Sequence, residues 1–421
     1  MCGMTIDAFI SRFMRFKTKD YLAFSELGHC EPPDAPARDI QLYMHIPFCR
    51  VLCPYCSFHR VVFREDLTRS YFQALRKELD IYHQKGFRFS EIYIGGGTPT
   101  ILMDELVKTL KHLNSLFKPK DISVETNPDS LNRETLSVLS DLGAGRVSVG
   151  VQTFDDKILK LIGRYEKYGS GNELIEKISK AKNIVRTLNI DMIYNFPVQN
   201  RDQLLNDVYT LNNIKPDQVT FYPLMVSDET IREMKKIMGA HSFRKERLFN
   251  ELISKNLSTD YHPQSAWCFS LSDAMIDEYV TSNEDYAGAG SGAFGLSGGY
   301  IYANTFSIGR YMKDIREGRL PVYAKKKFSR KELARYAFLM GLFGLKVPRS
   351  MFVQRFGKDP WTLLPLECLF FTLIGALNTT HDSLQLTEKG RYYWVIMMRE
   401  FFTGVDNFRD MSRLEAGSEY E

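Results

Sequence analysis

The sequence predicts an α/β fold: a partial (β/α)6-type barrel followed by a helical C-terminal domain. Short β-rich runs alternate with helical runs from residue 40 to about residue 240, and beyond Phe328 the pattern turns helical. Such alternation predicts parallel strands with helices packed outside them. About six strand and helix units follow one another, which makes a closed or partly open barrel the economical architecture, with its chemistry at the C-terminal ends of the strands.

The elements follow in order. Residues 1–37 hold an amphipathic helical segment and the breaker run EPPDAPAR, and read as a leader and linker. Residues 38–240 form the barrel. Its strands are IQLYMHI, EIYIGG, ISVETNP, RVSVGVQ, IDMIYNFP and QVTFYPL; its helices are LTRSYFQALRKELDIYHQ, MDELVKTLKHLNSLF, one after Asn132, one around residues 155–162, and QLLNDVYTLNNI. Residues 241–327, rich in Gly, Ser and aromatics, read as a connecting region that completes the active-site side. Residues 328–410 form the helical domain, with ELARYAFLMGLFG, LECLFFTLIGAL and the apolar helix RYYWVIMMREFF, whose Tyr392, Tyr393 and Trp394 read as core. Residues 411–421 read as a solvated tail.

Composition narrows the function classes. A chain of 421 residues that is 44% hydrophobic buries a large core. A net charge of +4, from 55 basic and 51 acidic residues, is too balanced for a nucleic-acid partner. The longest apolar stretch, residues 368–377, is about half the ~20 residues a bilayer span needs and reads as core. The N-terminal residues lack the pattern of a secretory signal. Seven cysteines, with Cys2, Cys30, Cys268 and Cys368 scattered, make a poor disulfide framework, so the expected compartment is the reducing cytoplasm.

The other three cysteines, Cys49, Cys53 and Cys56, crowd into CRVLCPYCSF. Three readings compete: free thiols without a role, a zinc site with His45 or His59 as fourth ligand, and an iron-sulfur cluster. Structural zinc takes four ligands, normally as two separated pairs, and no second pair follows. A loop supplying three thiolates to a cubane cluster leaves one iron open to bind something else.

The CxxxCxxC loop directly follows the first barrel strand, and the next strand ends in GGGTPT; together they resemble the radical S-adenosylmethionine (SAM) superfamily. The segments YMHIPFCRVLCPYCSF, EIYIGGGTPTIL, VETNPDSL, RVSVGVQTFDDKILKLIGR, DMIYNFPVQN and LTEKGRYY resemble, in the same order, the oxygen-independent coproporphyrinogen III oxidase family, which includes the related haem chaperones. The resemblance covers roughly residues 38–400. It implies a radical SAM barrel in which Cys49, Cys53 and Cys56 hold a [4Fe-4S] cluster whose fourth iron chelates SAM. It also implies that SAM is reductively cleaved to a 5′-deoxyadenosyl radical, with an electron from an external donor such as a flavodoxin or ferredoxin. The substrate it implies is a tetrapyrrole, in a coproporphyrinogen dehydrogenase-like oxidoreductase of porphyrin and haem metabolism.

The resemblance also assigns side chains. Gly96, Gly97 and Thr98, after Gly95, contact the methionine part of SAM; without Cβ atoms the backbone can come close to a ligand. Tyr43, Glu125, Gln152, Arg164 and Asp191 contact SAM as well, and Phe58 packs near its adenine. A guanidinium suits the SAM carboxylate, and a carboxylate suits ribose hydroxyls.

Two departures bear on the reaction. The established decarboxylases of the family read CxxxCxxCxC, whereas here the last position is Phe58, the form found in the haem chaperones and other coproporphyrinogen-oxidase-like members. The chaperones' HNxxYW haem motif is absent; the nearest region, YHPQSAWCFS, offers His262 and Cys268 as haem ligands. DYAGAGSGAFG, residues 285–295, resembles the family's Gly-rich element near the active site. Alternatives to an oxidase are therefore a haem carrier without turnover and a radical SAM methyltransferase. No residue is assigned as the catalytic acid or base.

Overall fold

The computed structural model of the chain describes residues 5–272 and 285–416. Cys2 and residues 417–421 of the expected tail lie outside them. Six strands, Ile40–Ile46, Phe89–Gly96, Asp121–Thr126, Ala144–Gln152, Thr187–Tyr194 and Gln218–Pro223, lie side by side and all run parallel. Parallel strands are covered on both faces, and the first strand is buried at every residue. Leu42, Met44, Ile46, Ile92, Ile94, Val147, Val149, Leu188 and Ile190 join the large core cluster with residues of the outer helices, such as Phe72, Leu75, Leu106 and Leu110. Alternate positions carry polar side chains instead: Tyr43, Tyr93, Ser123, Glu125, Arg146, Ser148, Asn189, Asp191, Gln218 and Thr220.

The outer helices start where their caps dictate. Asn132 accepts from the Thr135 N–H to open Arg133–Asp141, and Ser170 and Asn200 close capping boxes on Gly171–Ala181 and Arg201–Ile214. The predicted barrel is therefore observed, and its sheet extends past six strands. Tyr286–Ala289, within the Gly-rich run, is a seventh parallel strand beside the first, with Gly288 opposite Tyr43. Phe294–Ser297, Tyr300–Asn304 and Val322–Lys327 continue that edge in antiparallel order, while Cys268–Ser270 and His262–Pro263 extend the other.

A second core joins the two ends of the chain. Ile10, Met14 and Tyr21 of helix Ile6–Tyr21 cluster with Phe338, Trp394, Met397 and Phe401, the last three from the C-terminal helix Glu388–Ala416. Ser11 Oγ and Arg15 Nε donate to the Glu400 carboxylate at 2.7 and 2.9 Å. The run read as a leader thus contributes a packed helix. The apolar stretch 368–377 is only half core: Cys368 and Phe371 are buried, whereas Leu369 and Leu373 are 48% and 76% exposed, because helix Pro365–Leu373 turns one face outward.

Candidate functional site

The cysteine loop leaves the C-terminal end of the first strand. The Cys56 N–H donates to the Cys53 carbonyl at 3.2 Å, forming a turn, and Arg60 clamps that turn by donating Nη1 to the Cys53 carbonyl at 2.9 Å and Nη2 to the Cys56 carbonyl. All three thiols are free and half-buried. Burial pushes the Cys49 thiol up to about 11, against the pull of the Thr98 hydroxyl, and raises Cys56 as well, so without metal both are protonated near neutral pH. Metal binding takes such protons away.

Among the described residues, no three His, Cys, Asp or Glu side chains converge on one ion position. A cubane cluster needs no such convergence, since each thiolate takes a different iron. The zinc reading also lacks its fourth ligand. His45 Nδ1 is bonded to the Tyr43 hydroxyl at 2.8 Å and Nε2 to the His59 carbonyl at 2.9 Å, while His59 Nε2 faces Ser291 Oγ at 3.1 Å. The residues present fit a cluster better than a single ion.

The Gly-rich turn lies against this loop. Gly97 donates its N–H to the Ile46 carbonyl at 2.7 Å, and a Cβ there would stand 2.7 Å from the Phe48 carbonyl oxygen. Gly96 sits at φ +115°, and its Cβ would stand 2.7 Å from the His45 ring. Gly97 requires glycine for space, and Gly96 for both space and conformation. Thr98 Oγ1 lies 3.6 Å from Cys49 Sγ and accepts from Asn127 Nδ2 at 2.9 Å.

From Asn127 the line continues. Arg164 Nη2 donates to Asn127 Oδ1 at 3.2 Å and to the Gly150 carbonyl, and Nη1 donates to the Tyr55 hydroxyl at 3.4 Å. Its guanidinium lies 4.4 Å from the centre of the Tyr168 ring, and the residue is 4% exposed. Burial opposes the Arg164 charge, but Tyr55, Tyr168 and Cys53 outweigh it and hold its pKa above the ordinary value. Gln152 occupies a bulge in the fourth strand at φ +78°, a strained conformation for a non-glycine residue. Its Nε2 would be 2.7 Å from a Cβ on Gly150, beside Arg164 and Asn127.

Glu125 accepts from the Tyr93 hydroxyl at 2.7 Å and from the Gly96 N–H at 3.0 Å, and Tyr43 packs beside Tyr93 with tilted rings whose centres are 6.0 Å apart. Two strands beyond, in the fifth strand, Asp191 pairs with Gly150 across the sheet and accepts from Ser148 Oγ and Asn189 Nδ2, both at 2.7 Å. Beneath it the fully buried Arg146 donates to Gln218 at 2.7 Å, Ser123 at 3.0 Å and Ser148 at 3.4 Å. Cys49, Gly96, Gly97, Thr98, Glu125 and Gln152 therefore lie at or just beyond the ends of the first four strands, Arg164 bonds into them from the start of helix Tyr165–Tyr168, and Asp191 lies within the fifth strand opposite Gly150, with Tyr43 on the flank.

Phe58 stands apart. Its backbone N–H bonds the Cys56 thiol, but its ring is 45% exposed and packs 4.8 Å from Arg409 of the C-terminal helix. His262 and Cys268 do not meet as a ligand pair: His262 is exposed in an edge strand, whereas Cys268 is fully buried. A cavity of about 320 Å³ lined by Phe9, Phe13, Phe338, Phe370 and Trp394 holds none of the site residues. Asn127, Tyr55 and Tyr168 were not among the expected residues; Asn127 and Tyr55 stand within the quoted motifs VETNP and CPYC, so their position was the available signal.

Comparisons with known proteins show the superfamily and family. The profile of the radical SAM superfamily matches residues 43–208. The chain is 30% identical over 371 residues to a protein of Lactococcus lactis subsp. lactis named heme chaperone HemW, covering 83% of this chain and 93% of that protein. It is 28% identical over 369 residues to the anaerobic coproporphyrinogen III oxidase 1 of Cereibacter sphaeroides, covering 78% of each. The solved structure of coproporphyrinogen III oxidase (HemN) from Escherichia coli superposes with a TM-score of 0.74 at 22% identity, over 90% of this chain and 95% of that one, and shares its fold. The fold and the cysteine loop define a radical SAM protein. Within that superfamily, the chain belongs to the family of oxygen-independent coproporphyrinogen III oxidases and HemW haem chaperones.

Proposed function

We propose that the protein binds a [4Fe-4S] cluster through Cys49, Cys53 and Cys56, binds SAM across the adjoining strand ends, and acts on a tetrapyrrole. The cluster supplies an electron, taken from an external donor such as a flavodoxin or ferredoxin, that cleaves SAM reductively. The chain's own residues bind and orient. Gly96 and Gly97 let the backbone approach SAM, Arg164 offers a buried guanidinium to a carboxylate, and Asp191, held by Ser148 and Asn189, presents acceptors to hydroxyls. Glu125 and Gln152 complete the contacts, with Thr98 and Tyr43 beside them; Phe58 contributes through its backbone at Cys56.

The observation that carries this reading is the hydrogen-bonded line from Cys49 through Thr98 and Asn127 to Arg164, which ties the cysteine loop to three strand ends. A second reading is a haem chaperone without turnover. It is favoured by the similarity to proteins named HemW along most of the chain and by Phe58 in place of a fourth cysteine. Anaerobic reconstitution and incubation with SAM, dithionite and either coproporphyrinogen III or haem, followed by mass spectrometry of the tetrapyrrole, separates the two. A changed tetrapyrrole supports the enzyme; stoichiometric haem binding with the macrocycle recovered intact supports the chaperone and defeats the proposal.

A further inference from the structure

Lys167 lies on the short helix Tyr165–Tyr168, directly after Arg164, and its ammonium points at the cysteine loop. Nζ donates to the Val51 carbonyl at 3.0 Å and to Cys53 Sγ at 3.5 Å. It forms no ion pair with a carboxylate among the described residues. The helix that carries it is fixed at both ends: Arg164 is buried in the strand-end network, and Lys177 Nζ donates to the Tyr168 carbonyl at 2.7 Å. Cys53 is therefore held from two sides by cations, at its sulfur by Lys167 and at its carbonyl by Arg60.

We infer that Lys167 tunes the cluster by donating a charged N–H···S hydrogen bond to Cys53, which raises the cluster's reduction potential. The inference rests on the cluster assigned above. Reduction adds one electron and hence one negative charge to the thiolate-bound group, and a cation with an N–H aimed at a ligand sulfur stabilises that more negative state. The electron comes from a one-electron donor, and no atom is transferred. Lys167 is a positioning residue that acts through Cys53. It makes electron uptake easier for a given donor and leaves the reduced cluster a weaker reductant.

The test is an EPR-monitored potentiometric titration of the full-length protein, reconstituted anaerobically and free of SAM, with iron and sulfide counted first. Lys167→Met is expected to load a full cluster and to shift its reduction equilibrium about tenfold against reduction, ~59 mV lower for one electron. Lys167→Arg restores most of the potential, and Lys167→Gln, which keeps an N–H without the charge, falls between. Full loading with an unshifted potential in Lys167→Met overturns the inference. Loss of the cluster in Lys167→Met and Lys167→Gln, with the wild type loaded, also overturns it by making Lys167 only an anchor of the loop. A wild-type protein that takes up no cluster overturns the reading beneath it instead.

Discussion

The Gly96 N–H donates to Glu125 Oε2 at 3.0 Å, so the Gly-rich turn after the second strand is stitched to the carboxylate that ends the third. Gly95 sits under the same carboxylate: a Cβ there would stand 2.7 Å from Glu125 Cδ. Gly95→Ala is expected to displace Glu125 and to weaken SAM binding at least ~tenfold, about 1.4 kcal/mol. Isothermal calorimetry on the reconstituted protein measures this, and an unchanged affinity would separate Glu125 from the SAM site.

Arg164 joins Asn127, Tyr55 and the Gly150 carbonyl through one planar fork. Lysine cannot reproduce that fork. Arg164→Lys should lose about 1.5–3 kcal/mol of SAM affinity, roughly 10- to 150-fold, while the cluster absorbance is kept. Equal affinity in the two proteins would place the SAM carboxylate elsewhere.

Glu78 bears on pH. It is fully buried and accepts from the Gly290 N–H at 2.8 Å and the Tyr311 hydroxyl at 2.7 Å, which pins the Gly-rich segment after the seventh strand to helix Glu65–Gln84. Burial raises its pKa to about 8, outweighing both hydrogen bonds. The folded state therefore holds a proton that the unfolded state has released above about pH 4.5. Its contribution to stability is complete below that pH and is lost as pH rises through 8. Glu78→Gln keeps the acceptor and cannot ionise, so melting temperatures from pH 6 to 9 should decline less steeply in the variant than in the wild type. Parallel curves would contradict the assignment.

Arg399 bonds both Glu246 and Glu400, and all three are nearly sealed from solvent. Arg399→Met leaves two buried carboxylates without their shared cation. The expected cost is ~3–5 kcal/mol in denaturant unfolding. A cost below about 1 kcal/mol would mean that Arg15 and Ser11 suffice for Glu400 and that Glu246 finds another partner.

The barrel was legible wherever a strand was long and bounded. EIYIGG and RVSVGVQ carry β-branched residues between breakers and fall in Phe89–Gly96 and Ala144–Gln152. The seventh parallel strand was not legible, because after Tyr286 YAGA has only small side chains and no alternation, and its pairing with the first strand spans more than 200 residues of sequence. The N-terminal helix showed its amphipathic pattern but not its partner: Met14 and Tyr21 find Trp394 only in the folded chain. At the site, the cysteines and glycines could be named from spacing, since geometry demands those residue types. Asn127 and Lys167 each act through two hydrogen bonds to residues far away in sequence, which leave no periodic trace. His262 and Cys268 looked like neighbours in sequence, yet one lies exposed at the sheet edge while the other is buried in the second core.

The three-cysteine loop is expected to support reductive cleavage of SAM. The direct measurement is 5′-deoxyadenosine formed by the reconstituted protein with SAM and dithionite, beside a Cys53→Ala variant, with and without a tetrapyrrole. Formation in the wild type that rises with the tetrapyrrole and vanishes in the variant is the predicted result. A fully loaded wild-type cluster that yields no 5′-deoxyadenosine under any of these conditions would contradict it.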